Sequence, residues 1–120
     1  VINYPSPDMV AHTGNLEASV KACTFTDTCL AKVYEQIMKK DSLTMLITAD
    51  HGNVEELINL ENGGVDTEHS SFPVPFLIVG CQFLNQGKSL PRGILADVAP
   101  TILKILGINK PSSMSGRSLL

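Results

Sequence analysis

Tryptophan is absent from this sequence and aromatic residues make up only 5% of it, so any hydrophobic core must be aliphatic. Charged residues are also sparse, at 18%, and the basic ones are scattered, with no run longer than Lys39-Lys40. A nucleic-acid-binding domain usually carries a clustered basic face, so we expect no nucleic-acid partner. The apolar fraction of 43% argues against intrinsic disorder.

Paired cysteines are missing as well. Cys23, Cys29 and Cys81 are an odd number, and none belongs to a Cys-x-x-Cys motif. We therefore expect free thiols in a reducing compartment, with the three side chains filling space in a core. No apolar run is long enough to span a bilayer and no signal-peptide pattern opens the chain. These features predict a cytoplasmic protein with no membrane partner.

Several common catalytic motifs are also lacking: there is no P-loop, no GxGxxG and no GxSxG. The length of 120 residues is within the range for one domain. The chain begins without Met, in residues 1–4 that resemble the end of a strand. We therefore expect a piece of a longer protein.

Strand and helix patterns alternate along the chain. Residues 43–48 and 76–80 are apolar and predict strands, the first of them buried on both faces as in a parallel sheet. Helical patterns occur in three segments: residues 16–40, 54–60 and 95–106. Asn15 is the expected cap of the first helix, and Pro100 should lie in the first turn of the third. The alternation predicts an α/β fold.

Loops are expected between these elements. Pro5 and Pro7 should stop any regular structure, which leaves residues 8–15 as a loop after a strand. Residues 65–71 are polar and residues 81–93 contain two glycines and a proline, so both are predicted loops. The chain from residue 110 onward is also expected to be a loop.

Asp50 and His51 are the strongest functional candidates by position. They occupy the turn after the buried strand at 43–48, and ligands in open α/β sheets bind beyond the carboxyl ends of strands. An adjacent Asp and His can ligate a metal, orient each other, or serve as acid and base. The alternative is that Asp50 only caps a following helix and that His51 is exposed.

Two further motifs carry the remaining histidines. Asp8 and His12 are four residues apart in one loop, and His69 lies in another. Each alone is weak, since such pairs arise by chance and loop histidines are usually solvated. Together, all three histidines and the two aspartates lie at predicted strand ends on one side of the sheet, which predicts two nitrogen/oxygen metal sites, or one site with spare ligands. Glu55 and Glu56 are read as a solvated helix face.

Four motifs, in this order and spacing, resemble cofactor-independent phosphoglycerate mutase, a family of the alkaline phosphatase superfamily. They are residues 8–15, 48–53, 67–76 and 95–101. The closing residues 114–119 are also similar to the family's C-terminus. The resemblance implies an alkaline-phosphatase-like, mostly parallel sheet flanked by helices. Residues 1–120 would be an incomplete C-terminal portion of that phosphatase-like, metal-binding domain.

The resemblance also implies an activity. The family interconverts 3-phosphoglycerate and 2-phosphoglycerate in glycolysis and gluconeogenesis through a phosphoserine. It uses two divalent metal ions, typically Mn²⁺, although the ligands also suit Co²⁺, Zn²⁺ or Mg²⁺. By resemblance, Asp8, His12 and His69 hold one metal, and Asp50 and His51 help to hold the second.

The chain departs from the family in two places and lacks two parts of it. Ala11 stands where the family usually has glycine, and a positive φ at that turn would disfavour alanine. Glu68 stands where the family usually has a small residue. The serine nucleophile is expected before Val1, and no serine here matches its context. The substrate-gripping domain is absent too, so this portion alone should be inactive. The alternatives are another phosphatase, phosphopentomutase or sulfatase of the superfamily, or a non-catalytic metal-binding half-domain.

Overall fold

The computed structural model describes residues 1–87 and 89–120, so one residue of the predicted loop 81–93 lies outside the described part. The described residues form two units, Val1–Leu84 and Asn85–Leu120. The first unit contains helix α1 (Ser6–Ala11), helix α2 (Leu16–Ile37), strand β1 (Met45–Thr48) and strand β2 (Phe76–Val79). The second contains helix α3 (Val98–Ile105).

Helix α1 replaces the expected loop. Pro5 is its N-cap and Pro7 lies in its first turn, where a missing N–H costs little because first-turn donors have no partner within the helix. The prolines therefore begin a helix instead of preventing one. Ala11 is fully buried within α1, so it has helical angles that alanine adopts freely. The positive φ falls later, at Gly14 (66°).

Helix α2 follows the sequence pattern closely. It begins at Leu16, and the Asn15 side chain accepts a hydrogen bond from the backbone N–H of Ala18 at 3.0 Å, as an N-cap should. It packs against α1. Its predicted apolar face is only partly covered, since Leu16 and Val20 remain more than half exposed. Among the described residues, no helix is long and apolar enough to cross a membrane.

The two strands pair antiparallel, from Met45 opposite Val79 to Thr48 opposite Phe76. The predicted α/β class is confirmed, but β1 has no parallel neighbour among the described residues, although the sequence predicted one. The direction matters for function. Antiparallel pairing sets the start of β2 beside the end of β1, so the loop before β2 reaches the same sheet edge as the turn after β1. A parallel β2 would have placed that loop at the opposite edge.

The helix predicted over residues 54–60 does not form. Leu57 is buried there, and Ile58 makes an isolated antiparallel bridge to Val65. The Asn59 side chain accepts hydrogen bonds from the N–H groups of the following turn, and Gly63 takes a positive φ of 68°. These side-chain and bridge contacts supply the backbone partners that a short helix would have supplied. Residues 1–5 likewise form no strand.

The second unit is built around α3, which a short 3-10 helix (Leu95–Asp97) precedes. Pro100 lies in the first turn of α3, as expected, and Gly107 follows its end with a φ of 68°. The chain then returns as an extended segment, where Gly116 approaches the Ala96 carbonyl so closely that a β-carbon has no room. Cys23, Cys29 and Cys81 are free thiols.

Candidate metal centre

Helix α1 brings Asp8 and His12 together. Residues four apart lie on one face of a helix, one turn above the other. Asp8 Oδ1 is 3.5 Å from His12 Nε2. The two residues were predicted to converge from a loop, but the helix is what positions them, with His12 as its C-cap.

His69 completes a triangle with these two residues. It lies on the loop before β2, and its Nε2 is 3.4 Å from Asp8 Oδ1 and 3.2 Å from His12 Nε2. The His12 ring is oriented by a 2.7 Å contact from its Nδ1 to the Thr67 carbonyl oxygen. A carbonyl only accepts, so Nδ1 carries the proton and donates. This tautomer leaves a lone pair on His12 Nε2, the atom that a cation can bind.

The spacing of these three atoms fits a small divalent cation. Two nitrogens and one carboxylate oxygen stand 3.2–3.5 Å apart. Ligands arranged tetrahedrally at bonds of about 2.1 Å lie about 3.4 Å from one another. Mixed imidazole and carboxylate sets suit zinc, manganese, iron or cobalt better than calcium.

Of the two candidate ligands in the Asp50–His51 turn, only His51 lies in the cluster formed by Asp8, His12 and His69. The His51 ring stacks on His69 with centroids 3.8 Å apart and planes at 21°. Ligand atoms of His51, His69 and Asp8 all lie within 4.8 Å of one another. The Asp50 side chain is instead 89% exposed, with Oδ2 3.7 Å from His51 Nε2. The turn thus brings His51 into the cluster and leaves the Asp50 carboxylate facing solvent.

Asn53 is a site residue that the sequence reasoning did not single out. Its side chain is only 4% exposed. Its Nδ2 donates to Asp8 Oδ1 at 2.7 Å and is 3.4 Å from His12 Nε2. This hydrogen bond, with smaller contributions from the neighbouring histidines, lowers the pKa of Asp8, which favours the ionised, metal-binding form. The sequence signal that could have identified Asn53 was its place in the turn motif, two residues after His51.

Glu55 is exposed, as predicted, but it lies in a turn and not on a helix, and both of its carboxylate oxygens are hydrogen-bonded. Its Oε2 accepts the Asn53 backbone N–H at 2.9 Å, and its Oε1 accepts the Ser70 hydroxyl. Desolvation of the carboxylate by its neighbours acts to raise the pKa of Glu55, but the hydrogen bonds from Ser70 and the backbone outweigh it, so the pKa is lowered. Glu68, beside His69, is exposed.

The chain matches the Metalloenzyme superfamily over residues 1–110. It is 48% identical over 120 residues to a 2,3-bisphosphoglycerate-independent phosphoglycerate mutase of Wolbachia pipientis and 45% identical over 119 residues to one of Clostridium acetobutylicum. These alignments cover 100% and 99% of the chain, but 23% of each relative. The chain therefore spans about a quarter of the length of the curated relatives it matches.

A solved structure agrees with these matches. Phosphoglycerate mutase of Leishmania mexicana, crystallised at low cobalt concentration, superposes with a TM-score of 0.77 at 30% sequence identity. The match covers 97% of this chain and 24% of that one. The chain belongs to the metalloenzyme superfamily, with the incomplete α/β architecture described above. Within that superfamily it is similar, along its whole length, to cofactor-independent phosphoglycerate mutases.

Proposed function

We propose that this chain is the metal-binding portion of a cofactor-independent phosphoglycerate mutase. The whole enzyme would interconvert 3-phosphoglycerate and 2-phosphoglycerate through a phosphoserine. The observation that carries the proposal is the convergence of Asp8, His12 and His69 at 3.2–3.5 Å, because only long-range folding brings His69 to the Asp8–His12 pair of α1. The curated relatives bear the mutase name, and their alignments cover 99–100% of the chain.

The residues divide into two proposed metal sites. Asp8, His12 and His69 would hold the first ion, and Asp50 and His51 would help to hold the second. By family resemblance both ions would be Mn²⁺. When bound, such ions neutralise phosphoryl charge and lower the pKa of an oxygen nucleophile. Asn53 keeps the Asp8 carboxylate oriented and ionised. The Thr67 carbonyl holds His12 in the tautomer whose Nε2 faces the site.

Other parts of the enzyme must supply the rest of the chemistry. We place the serine nucleophile, further ligands of the second site and the substrate-gripping groups outside these residues, so this portion alone should turn over no substrate. Exposed apolar side chains such as Phe25 (67%) and Ile2 (63%) support packing against such parts. A cytoplasmic location is proposed as well, since the cysteines are free thiols.

The test is an assay of the full-length protein with 3-phosphoglycerate, Mn²⁺ or Co²⁺ and an enolase coupling enzyme. We expect 2-phosphoglycerate to form, and we expect EDTA to abolish the reaction. A generic phosphate ester serves as the control substrate, on which the mutase should be slow. Hydrolysis of that ester without mutase activity would instead support a phosphatase of the same superfamily.

A further inference from the structure

Glu55 belongs to neither proposed metal site. Its carboxylate contacts the segment that carries His51 and the segment that carries His69. Glu55 Oε2 accepts the backbone N–H of Asn53 at 2.9 Å, and Oε1 accepts the hydroxyl of Ser70. Asn53 lies two residues after His51, and Ser70 directly follows His69. Glu55 therefore spans the gap between the two ligand-bearing segments.

The backbone closes the same gap. The Ser70 N–H donates to the Gly52 carbonyl at 2.8 Å, and Gly52 and Ser70 form an isolated antiparallel bridge. A β-carbon at Gly52 would collide with the Glu55 carboxylate and the Ser70 hydroxyl. Any side chain at position 52 would therefore have to displace the Glu55 carboxylate or the Ser70 hydroxyl from their contact. A single bridge is a weak constraint, and the Glu55 contacts are what reinforce it.

We propose that Glu55 is a positioning residue for the metal centre, whose carboxylate fixes the His69 loop against the turn that carries His51. The inference rests on the proposed function, since it assumes that these histidines are ligands. Both Glu55 oxygens already have hydrogen-bond partners, which distinguishes a positioning role from a ligand role. The stacked His51 and His69 rings, with centroids 3.8 Å apart, are the geometry that Glu55 maintains.

The experiment measures metal binding in the full-length protein after EDTA treatment. Calorimetry gives the Mn²⁺ affinity, and the visible spectrum of the Co²⁺-loaded protein reports ligand geometry. Loss of a partner that orients a ligand typically weakens metal binding by about 10–100-fold, so we expect that loss for Glu55→Ala, with an altered Co²⁺ spectrum. Glu56→Ala is the matched control, because it removes an adjacent carboxylate that makes no side-chain hydrogen bond within the described residues.

A conservative variant separates positioning from general damage. In Glu55→Gln the amide oxygen can accept the Asn53 N–H and the amide NH₂ can donate to Ser70, so most of the affinity and the native spectrum should return. If Glu55→Ala fails to fold, the pair Ser70→Ala and Ser70→Thr decides. The Mn²⁺ affinity should fall in Ser70→Ala, which lacks the hydroxyl, and should be retained in Ser70→Thr, which keeps it.

The outcomes separate the two proposals. Native Mn²⁺ affinity and spectrum in Glu55→Ala, with two ions bound by the unaltered protein, would overturn the positioning role and leave the proposed function standing. Equal affinities for Ser70→Ala and Ser70→Thr would overturn it too. An unaltered protein that binds no divalent ion would remove both the metal centre and the inference.

Discussion

Asp8 and Asp97 are two aspartates with lowered pKa values and different surroundings. Asp8 accepts a side-chain hydrogen bond from Asn53 and stands among imidazole nitrogens, with its side chain 39% exposed. Asp97 is 4% exposed, and its two oxygens accept backbone N–H groups from Ile94 and Arg117. One carboxylate remains accessible to a cation, whereas the other is engaged by the backbone.

A lowered pKa therefore does not by itself separate a candidate metal ligand from a carboxylate that the backbone engages. What distinguishes the two is the chemistry of the neighbours. Imidazoles that converge on Asp8 bring lone pairs, which a cation can share. Backbone donors around Asp97 tie the returning C-terminal segment to the start of α3, a structural task. Variants of the full-length protein can test this division.

The largest expected effect is on metal binding. Asp8→Asn removes the only charged ligand of the proposed first site, so its Mn²⁺ affinity should fall by at least the roughly 10–100-fold that loss of a supporting partner costs. Asp97→Asn, the same chemical change, should leave that affinity unaltered. Calorimetric titration measures both. Equal losses in the two variants would end the distinction between a functional and a structural aspartate.

The next effect is on stability. The Thr101 side chain is fully buried, donates to the Asp97 carbonyl at 2.7 Å and accepts the Leu119 N–H at 3.0 Å. Thr101→Val leaves that buried N–H without an acceptor, which should lower the free energy of unfolding by about 1–3 kcal/mol. Urea unfolding of the metal-free protein measures it. Thr101→Ser, which keeps the hydroxyl, is the control, and a valine variant as stable as the serine variant would contradict the role of this bond.

The smallest expected effect is on acid stability. Hydrogen bonds from the Arg117 and Ile94 backbones lower the pKa of Asp97 below its ordinary value of 3.8. The stabilisation is therefore complete above the unfolded-state pKa and is lost as the pH falls through the folded-state pKa. Between pH 7 and pH 3, the metal-free parent protein should lose more stability than Asp97→Asn. The measurement is the urea midpoint of each protein as a function of pH. If the two midpoints fall equally with pH, these bonds do not favour the ionised form of Asp97 over its protonated form.

Local signals predicted the elements that local hydrogen bonds and periodicity define. The Asn15 cap and helix α2, the Pro100 turn of α3, and the cores of both strands all followed from a few neighbouring residues. The candidate ligands were named from residue type and motif alone. Their assignment to two metal sites remains a prediction, although the structure places Asp8, His12, His51 and His69 together.

Contacts between distant segments decided the rest. His12 and His69 are 57 residues apart, and no local pattern encodes the antiparallel pairing that brings the His69 loop to the end of β1. The same holds for Glu55, whose partner Ser70 is 15 residues away, and whose contacts belong to a turn where a helix was expected.

The sequence by itself determined the chemistry available to this protein: three histidines, two candidate aspartates and the family to which their motifs belong. The tertiary structure decided which of these groups meet. Helix α1 placed Asp8 and His12 on one face, and the tertiary structure brought His69 to them and left Asp50 exposed to solvent. The physical reason is that side-chain type is a local property, whereas the distance between two ligands depends on chain segments that only folding brings together.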